Sequence, residues 1–408
     1  TINGNWYYKG TSNLTTSQLT IEGTSQLSGS LITNGQQRYK KSVTLVGDTL
    51  LKSVSDQLIF EKEITGNHAL NIVSESKNFT QNASINLGSL SIKASDISLN
   101  GQITTLENQD YQGSLMLLND SYLTAKNASD FKLISINGDI NGNNKSLNIT
   151  ANWSFKGNAN NINKINVSGK TNLEGNITST GNQYYGEKLT LTGVAGSIIH
   201  LTSNVGQLIK MDGGLSANNL NLSINNADWH LGSLGANSLK NLTIGAKSIL
   251  GGNISAEGEV KLQGGIELAN SDIKINADKV YFYQFINGNN FGLDIQSNVS
   301  IAPSTNTNNL KHLEISGTSL LGGNINTTSY QKYNQQVTLS GNSQLTASKV
   351  YISNGLIGNN YYLKALAEWQ SNGNLTNLAS LEITGNTYLN GIINTTGTNG
   401  QTYSGLLN

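Results

Sequence analysis

The chain has 408 residues with 25 basic and 25 acidic side chains, 44 Gly, one Pro and no Cys. Balanced charge on only 12% of residues leaves no electrostatic footprint for nucleic acid or an anionic membrane surface. The missing Cys excludes disulfides, thiolate zinc sites and thiol catalysis, and no apolar run reaches the roughly 18 residues of a membrane-spanning helix. About sixty Asn, abundant Ser, Thr, Leu and Ile, and a single arginine, Arg38, point away from helices and toward short strands and turns.

Taken from the amino terminus, the elements recur. Trp6 precedes a strand at Leu19-Thr20-Ile21, then Leu27/Gly29/Leu31, Gln37/Tyr39 and Val43-Thr44-Leu45. Phe79 opens a second copy with Leu99/Gly101/Ile103, Gln109/Tyr111 and Leu115-Met116-Leu117. Gly142-Asn143-Asn144 marks a turn before Leu147, and Trp153 leads into Ile165-Asn166-Val167, Leu173/Gly175/Ile177, Gln183/Tyr185 and Leu189-Thr190-Leu191. The fourth copy, with Trp229, Leu242-Thr243-Ile244 and Leu250/Gly252/Ile254, lacks Gln-x-Tyr and carries Tyr281-Phe282-Tyr283-Gln284-Phe285 instead. Gly288-Asn289-Asn290, Ile301, Leu313-Glu314-Ile315, Leu321/Gly323/Ile325, Gln331/Tyr333 and Val337-Thr338-Leu339 form the fifth. Gly358-Asn359-Asn360, Trp369, Leu381-Glu382-Ile383, Leu389/Gly391/Ile393 and Gln401/Tyr403 form the last. The repeat marks near residues 27, 99, 173, 250, 321 and 389 give a period of about 72 residues.

Within each copy the apolar residues alternate with period two over short runs bounded by Gly, Asn, Ser and Thr. Six copies match a propeller count, and strand-rich units of this size also suit sandwich domains. Missing linkers and the absence of a closing strand favour a parallel β-helix, with coils of roughly 18 to 24 residues and three or four coils per repeat. Such coils stack about 4.8 Å apart, so like charges in a column repel and Pro removes a ladder hydrogen bond, which fits the sparse charge and the lone Pro303. The expected fold is all-β: a right-handed parallel β-helix in which residues 1–408 form one continuous segment of a larger protein.

The phase-locked pattern, best seen from Leu321 to Leu339 and from Leu173 to Tyr185, resembles the repeat arrays of filamentous-haemagglutinin-like adhesins, nearest the Asn-rich high-molecular-weight type. The resemblance implies a right-handed parallel β-helix exported through an outer-membrane partner of the two-partner secretion type. It also implies display on the surface of Gram-negative bacteria and binding to host-cell glycans or a receptor. The secretion partner would act through a region outside this segment. No cofactor, nucleic-acid partner or membrane insertion is expected.

Candidate ligand-binding residues are the tyrosines outside the repeat phase: Tyr184, Tyr281, Tyr283, Tyr361 and Tyr362, whose rings can stack on sugar CH faces. Their alternative is core filling, the expected role of the phase-locked Trp153, Trp229, Trp369, Tyr39, Tyr111, Tyr185 and Tyr333. Asn13, Asn82, Asn148, Asn176, Asn253, Asn326 and Asn394 head Asn-x-Ser/Thr sequons; the Asn and Ser/Thr content yields many by chance, whereas the resemblance implies glycosylation of some. His68, His200, His230 and His312 lack ligand spacing, so no metal is expected. Scattered carboxylates make a polysaccharide-degrading enzyme, which can share this fold, the least favoured alternative to a binding or purely stalk-like role.

Overall fold

Alternation sends every second side chain of a strand inward, and the chain uses it to build turns of stacked parallel strands. The computed structural model describes residues 1–74 and 77–408, and among these every segment of regular structure is a strand. The chain divides into two compact units: residues 1–192 with 200–210, and residues 193–199 with 211–408. Each is a parallel β-solenoid whose turn, of about 19 residues, carries three strand positions and therefore three faces.

In the first unit, Ile165–Val167, Thr171–Glu174 and Ile177–Ser179 make one turn. Ile165 stands opposite Gln183, and Thr171 opposite Leu189, in parallel register 18 residues on. A longer offset, Ser121 opposite Leu147, accommodates an added antiparallel hairpin, Lys126 against Phe131, whose tip is Ala128 at φ 50°. In the second unit Leu313 faces Gln331 and Ser319 faces Val337, again 18 residues apart. In each unit the inward residues form an apolar core, with Trp153 in the first and Trp229 and Trp369 in the second, all fully buried.

The corners explain the Gly and Asn. The Leu-x-Gly-x-Leu motif bends the chain from one face to the next: register shifts between Leu27 and Gly29, and a Cβ on Gly29 (φ 97°) would lie 2.0 Å from the Gly10 carbonyl oxygen. The Gly-Asn-Asn turns place both Asn in the left-handed region, at φ 47° and 58° for Asn143 and Asn144, 48° and 66° for Asn289 and Asn290, and 49° and 61° for Asn359 and Asn360. Of the fourteen non-Gly residues with positive φ among the described residues, twelve are Asn, the side chain that best tolerates this conformation.

Asn also clamps turn to turn. The Asn158 amide N–H donates to Asp139 Oδ1 (2.8 Å), Asn176 N–H to Asn158 Oδ1 (3.2 Å) and His200 N–H to Asn176 Oδ1 (2.8 Å), a polar ladder in which each side chain caps the next turn. Charges are matched along the columns: Lys156 with Glu174, Lys349 with Glu368 and Lys364 with Glu382 are register partners 2.8 to 3.4 Å apart. Opposite charges thus meet where like charges would repel.

Gln-x-Tyr is a buried brace. The Tyr39, Tyr111, Tyr185 and Tyr333 hydroxyls donate to the Oε1 of Gln37, Gln109, Gln183 and Gln331 at 3.0, 2.7, 3.2 and 3.0 Å. Each Gln Nε2 then donates across to a backbone carbonyl of the following turn: Lys52, Thr124, Thr202 and Thr346 at 2.7 to 3.0 Å. In the first unit the three braces occupy different faces. Gln36–Tyr39 stacks on Gln18–Ile21, Gln109 pairs with Leu90 and Ile134, and Gln183–Tyr185 stacks on Ile165–Val167.

Candidate functional site

Strand Ile273–Phe282 bends between Asn276 and Lys279, and its second half buries Val280 and Phe282. Alternation therefore sends Lys279, Tyr281 and the following Tyr283 outward. Register brings Glu259 beside Lys279 and Lys261 beside Tyr281 on the preceding turn. The Tyr281 hydroxyl donates to Glu259 Oε1 (2.9 Å), and Lys261 Nζ lies 2.6 Å from Glu259 Oε2. The hydrogen bond from Lys261, then that from Tyr281, holds the Glu259 carboxyl below its ordinary range, and Glu259 in turn raises Lys261. Lys279 and Lys261 Nζ lie 4.7 and 5.5 Å from the Tyr281 ring centroid. The Tyr281 and Tyr283 rings are nearly parallel, 13° apart with centroids at 6.2 Å.

On the following turns a groove of about 270 Å³ adjoins this pair, lined by Lys279, Asn298, Thr318, Leu320 and Thr338 among others. Tyr283, Phe285 and Leu320 are each more than one-third exposed. The segment after Ile301, which contains Pro303, stacks directly on the aromatic turn: Ala302 N–H donates to the Phe282 carbonyl (3.0 Å) and Ser304 Oγ to that of Tyr283 (3.3 Å). The off-phase aromatic run and the segment that carries the lone proline thus meet at one place. Two ammonium groups and one carboxylate around stacked tyrosines can hold a polar ligand that has an apolar face.

The other sequence candidates lie elsewhere. Tyr184 belongs to the first unit, opposite Asn166, with Lys210 Nζ 5.5 Å from its ring centroid. Tyr361 closes the third Gly-Asn-Asn turn through its N–H to the Gly358 carbonyl (2.8 Å), and the Tyr362 N–H donates to Asn342 Oδ1 (3.1 Å); both belong to another face of the second unit. Only Tyr281 and Tyr283 come together. Among the sequon residues, Asn13, Asn82, Asn253 and Asn394 are exposed and Asn148, Asn176 and Asn326 half-buried. Asn82 and Asn326 Nδ2 donate to the Phe60 and Thr307 carbonyls (3.1 and 3.2 Å), while Asn176 and Asn253 Oδ1 cap the amides of His200 and Lys274 (2.8 Å each).

Several carboxylates serve as turn caps: Asp120, Asp139 and Asp272 accept from the amides of Ser146, Asn158 and Gly292 at 2.8 Å. No cluster of three metal-ligating side chains occurs among the described residues. Sequence reasoning passed over a second aromatic cluster at Tyr330 and Tyr351. Its signal was alternation, because buried Tyr333 and Ile352 force Tyr351, Lys332 and Tyr330 outward. No protein-family model, curated protein or solved structure matches the chain.

Proposed function

We propose that this chain is a segment of a bacterial surface adhesin that binds a host glycan or receptor along the side of its solenoid. The observation carrying this reading is the stacked pair of half-buried Tyr281 and exposed Tyr283, ringed by Glu259, Lys261 and Lys279 at the edge of a groove. Parallel crossover connections are overwhelmingly right-handed, which supports a right-handed coil. The recurring buried braces support the 72-residue sequence period: Tyr39, Tyr111 and Tyr185 each sit one face short of four full turns from the last. Secretion through an outer-membrane partner and display at the cell surface follow from the family resemblance.

A second reading, a stalk without a ligand of its own, draws on the first unit. There Thr44, Thr65, Asn86, Thr104, Thr124 and Thr150 follow one another in a single register column without a charge or ring. The deciding experiment applies the purified chain, and its Tyr281→Ala/Tyr283→Ala variant, to a glycan array and to host cells. Binding that drops in the variant is the expected result. Unchanged binding removes this pair from the interface, and no binding by the unaltered chain while the parent cells still adhere supports the stalk.

A further inference from the structure

A different face of the second unit carries the aromatic cluster that sequence reasoning passed over. In parallel register Glu314 stands opposite Lys332, Lys332 opposite Tyr351, Tyr351 opposite Gln370 and Gln370 opposite Tyr388. Tyr330 lies beside Lys349 in the neighbouring outward column. A cleft of about 340 Å³ opens between Glu314, Tyr330, Lys332 and Tyr351.

Its walls are held before any ligand arrives. The Tyr330 ring stacks on His312, centroids 5.0 Å apart and planes within 9°. His312, only 8% exposed, is fixed by Asp294 Oδ1 at 3.1 Å from its Nε2, and its ring occupies the space over Gly292, where a Cβ would lie 2.0 Å from Cε1. Lys332 Nζ and Asn334 Nδ2 both donate to Glu314 Oε1, at 2.8 and 3.0 Å. Lys349 Nζ lies 4.9 Å from the Tyr351 centroid and 5.8 Å from that of Tyr388.

We infer that this cleft binds a neutral oligosaccharide, with sugar CH faces on Tyr330 and Tyr351 and hydroxyls on the Glu314 and Lys332 head groups. Three observations select that class. The one carboxylate and one ammonium lining the cleft are paired, so the site offers no surplus charge to an anionic polymer. Strands Leu313–Ile315 and Tyr330–Tyr333 are hydrogen-bonded to a neighbour on each side, so a peptide cannot add as a further strand. Tyr351 and Tyr388 share a column two turns apart, roughly 10 Å at the usual strand spacing, so an extended chain running along the stack meets a ring at intervals.

The test is an array of neutral oligosaccharides printed beside sialylated and sulfated counterparts, probed with the full chain and with Tyr330→Ala, Tyr351→Ala and Tyr351→Phe, each checked for folding by circular dichroism. The unaltered chain should bind neutral members. Either alanine variant should weaken binding about tenfold, the scale of one lost aromatic stack, and Tyr351→Phe, which keeps the ring, should stay within about threefold. Binding confined to charged glycans, alanine variants indistinguishable from the unaltered chain, or loss only in Tyr281→Ala/Tyr283→Ala would each overturn the assignment. The last outcome overturns this cleft while supporting the other face; loss only here does the reverse.

Discussion

Replacing Tyr111 with phenylalanine removes one hydroxyl and keeps the ring. That hydroxyl donates to Gln109 Oε1 at 2.7 Å, and both side chains are fully buried. The variant leaves the Gln109 oxygen desolvated and without its donor, a defect of about 1–3 kcal/mol. Gln109→Leu is harsher, since it leaves the buried Tyr111 hydroxyl without its acceptor, about 1–3 kcal/mol, and also removes the 2.7 Å side-chain hydrogen bond to the Thr124 carbonyl, about 0.5–1.5 kcal/mol more. The double variant leaves neither the Gln109 oxygen nor the Tyr111 hydroxyl orphaned, so it should be less destabilised than the sum of the singles by about 2–6 kcal/mol. Urea unfolding gives the totals. Because each turn touches only its neighbours, hydrogen exchange at the flanking strands, Leu133–Asn137 and Ser89–Leu99, gives the local value. A Tyr111→Phe protein within about 0.5 kcal/mol of the parent, or strictly additive singles, would refute the brace.

Two further expectations concern pH and the corners. Burial pushes the Tyr39, Tyr111, Tyr185 and Tyr333 phenols far above their ordinary value near 10. The folded state therefore keeps protons that the unfolded state loses, so the contribution of these four tyrosines to stability is level below about pH 10 and falls above it, by up to about 1.4 kcal/mol per pH unit for each. Phenolate absorbance should show these four titrating only as the protein unfolds; early, reversible ionisation of all sixteen tyrosines would contradict their burial. At the second Gly-Asn-Asn turn a Cβ on Gly288 would lie 2.4 Å from Leu310 Cα, so Gly288→Ala should lower stability by about 1–3 kcal/mol. Asn290→Gly, at φ 66°, keeps the backbone bond of the turn and should be nearly silent, and thermal midpoints of the two proteins distinguish them.

Inward positions were legible because alternation is local: Leu19, Ile21, Tyr39 and Trp153 declare their side by their neighbours alone. The structural turn was less visible than the 72-residue period, because the strongest signals, Gln-x-Tyr and Leu-x-Gly, do not occur once per 19-residue turn. The glycine in Leu27-Ser28-Gly29-Ser30-Leu31 looks like strand alternation, yet its positive φ makes a corner, and nothing in a five-residue window distinguishes the two. The Tyr281 cluster was half legible. An off-phase aromatic run marks Tyr281 and Tyr283, but Glu259 and Lys261 join them only through register across a full turn. Alternation sends Tyr330 and Tyr351 outward, but only the register of one turn on the next sets them side by side, which a linear reading does not show.

The braces at Tyr39, Tyr111 and Tyr185 fall on three different faces of the first unit. Had the motif recurred at a whole number of turns, all three would lie on one side, leaving two sides without a Gln-x-Tyr brace. Offset by a face each time, they act like staggered joints in masonry. A crack opening along any one side of this unit meets a side chain that crosses from turn to turn, so none of its three sides provides an uninterrupted seam for peeling.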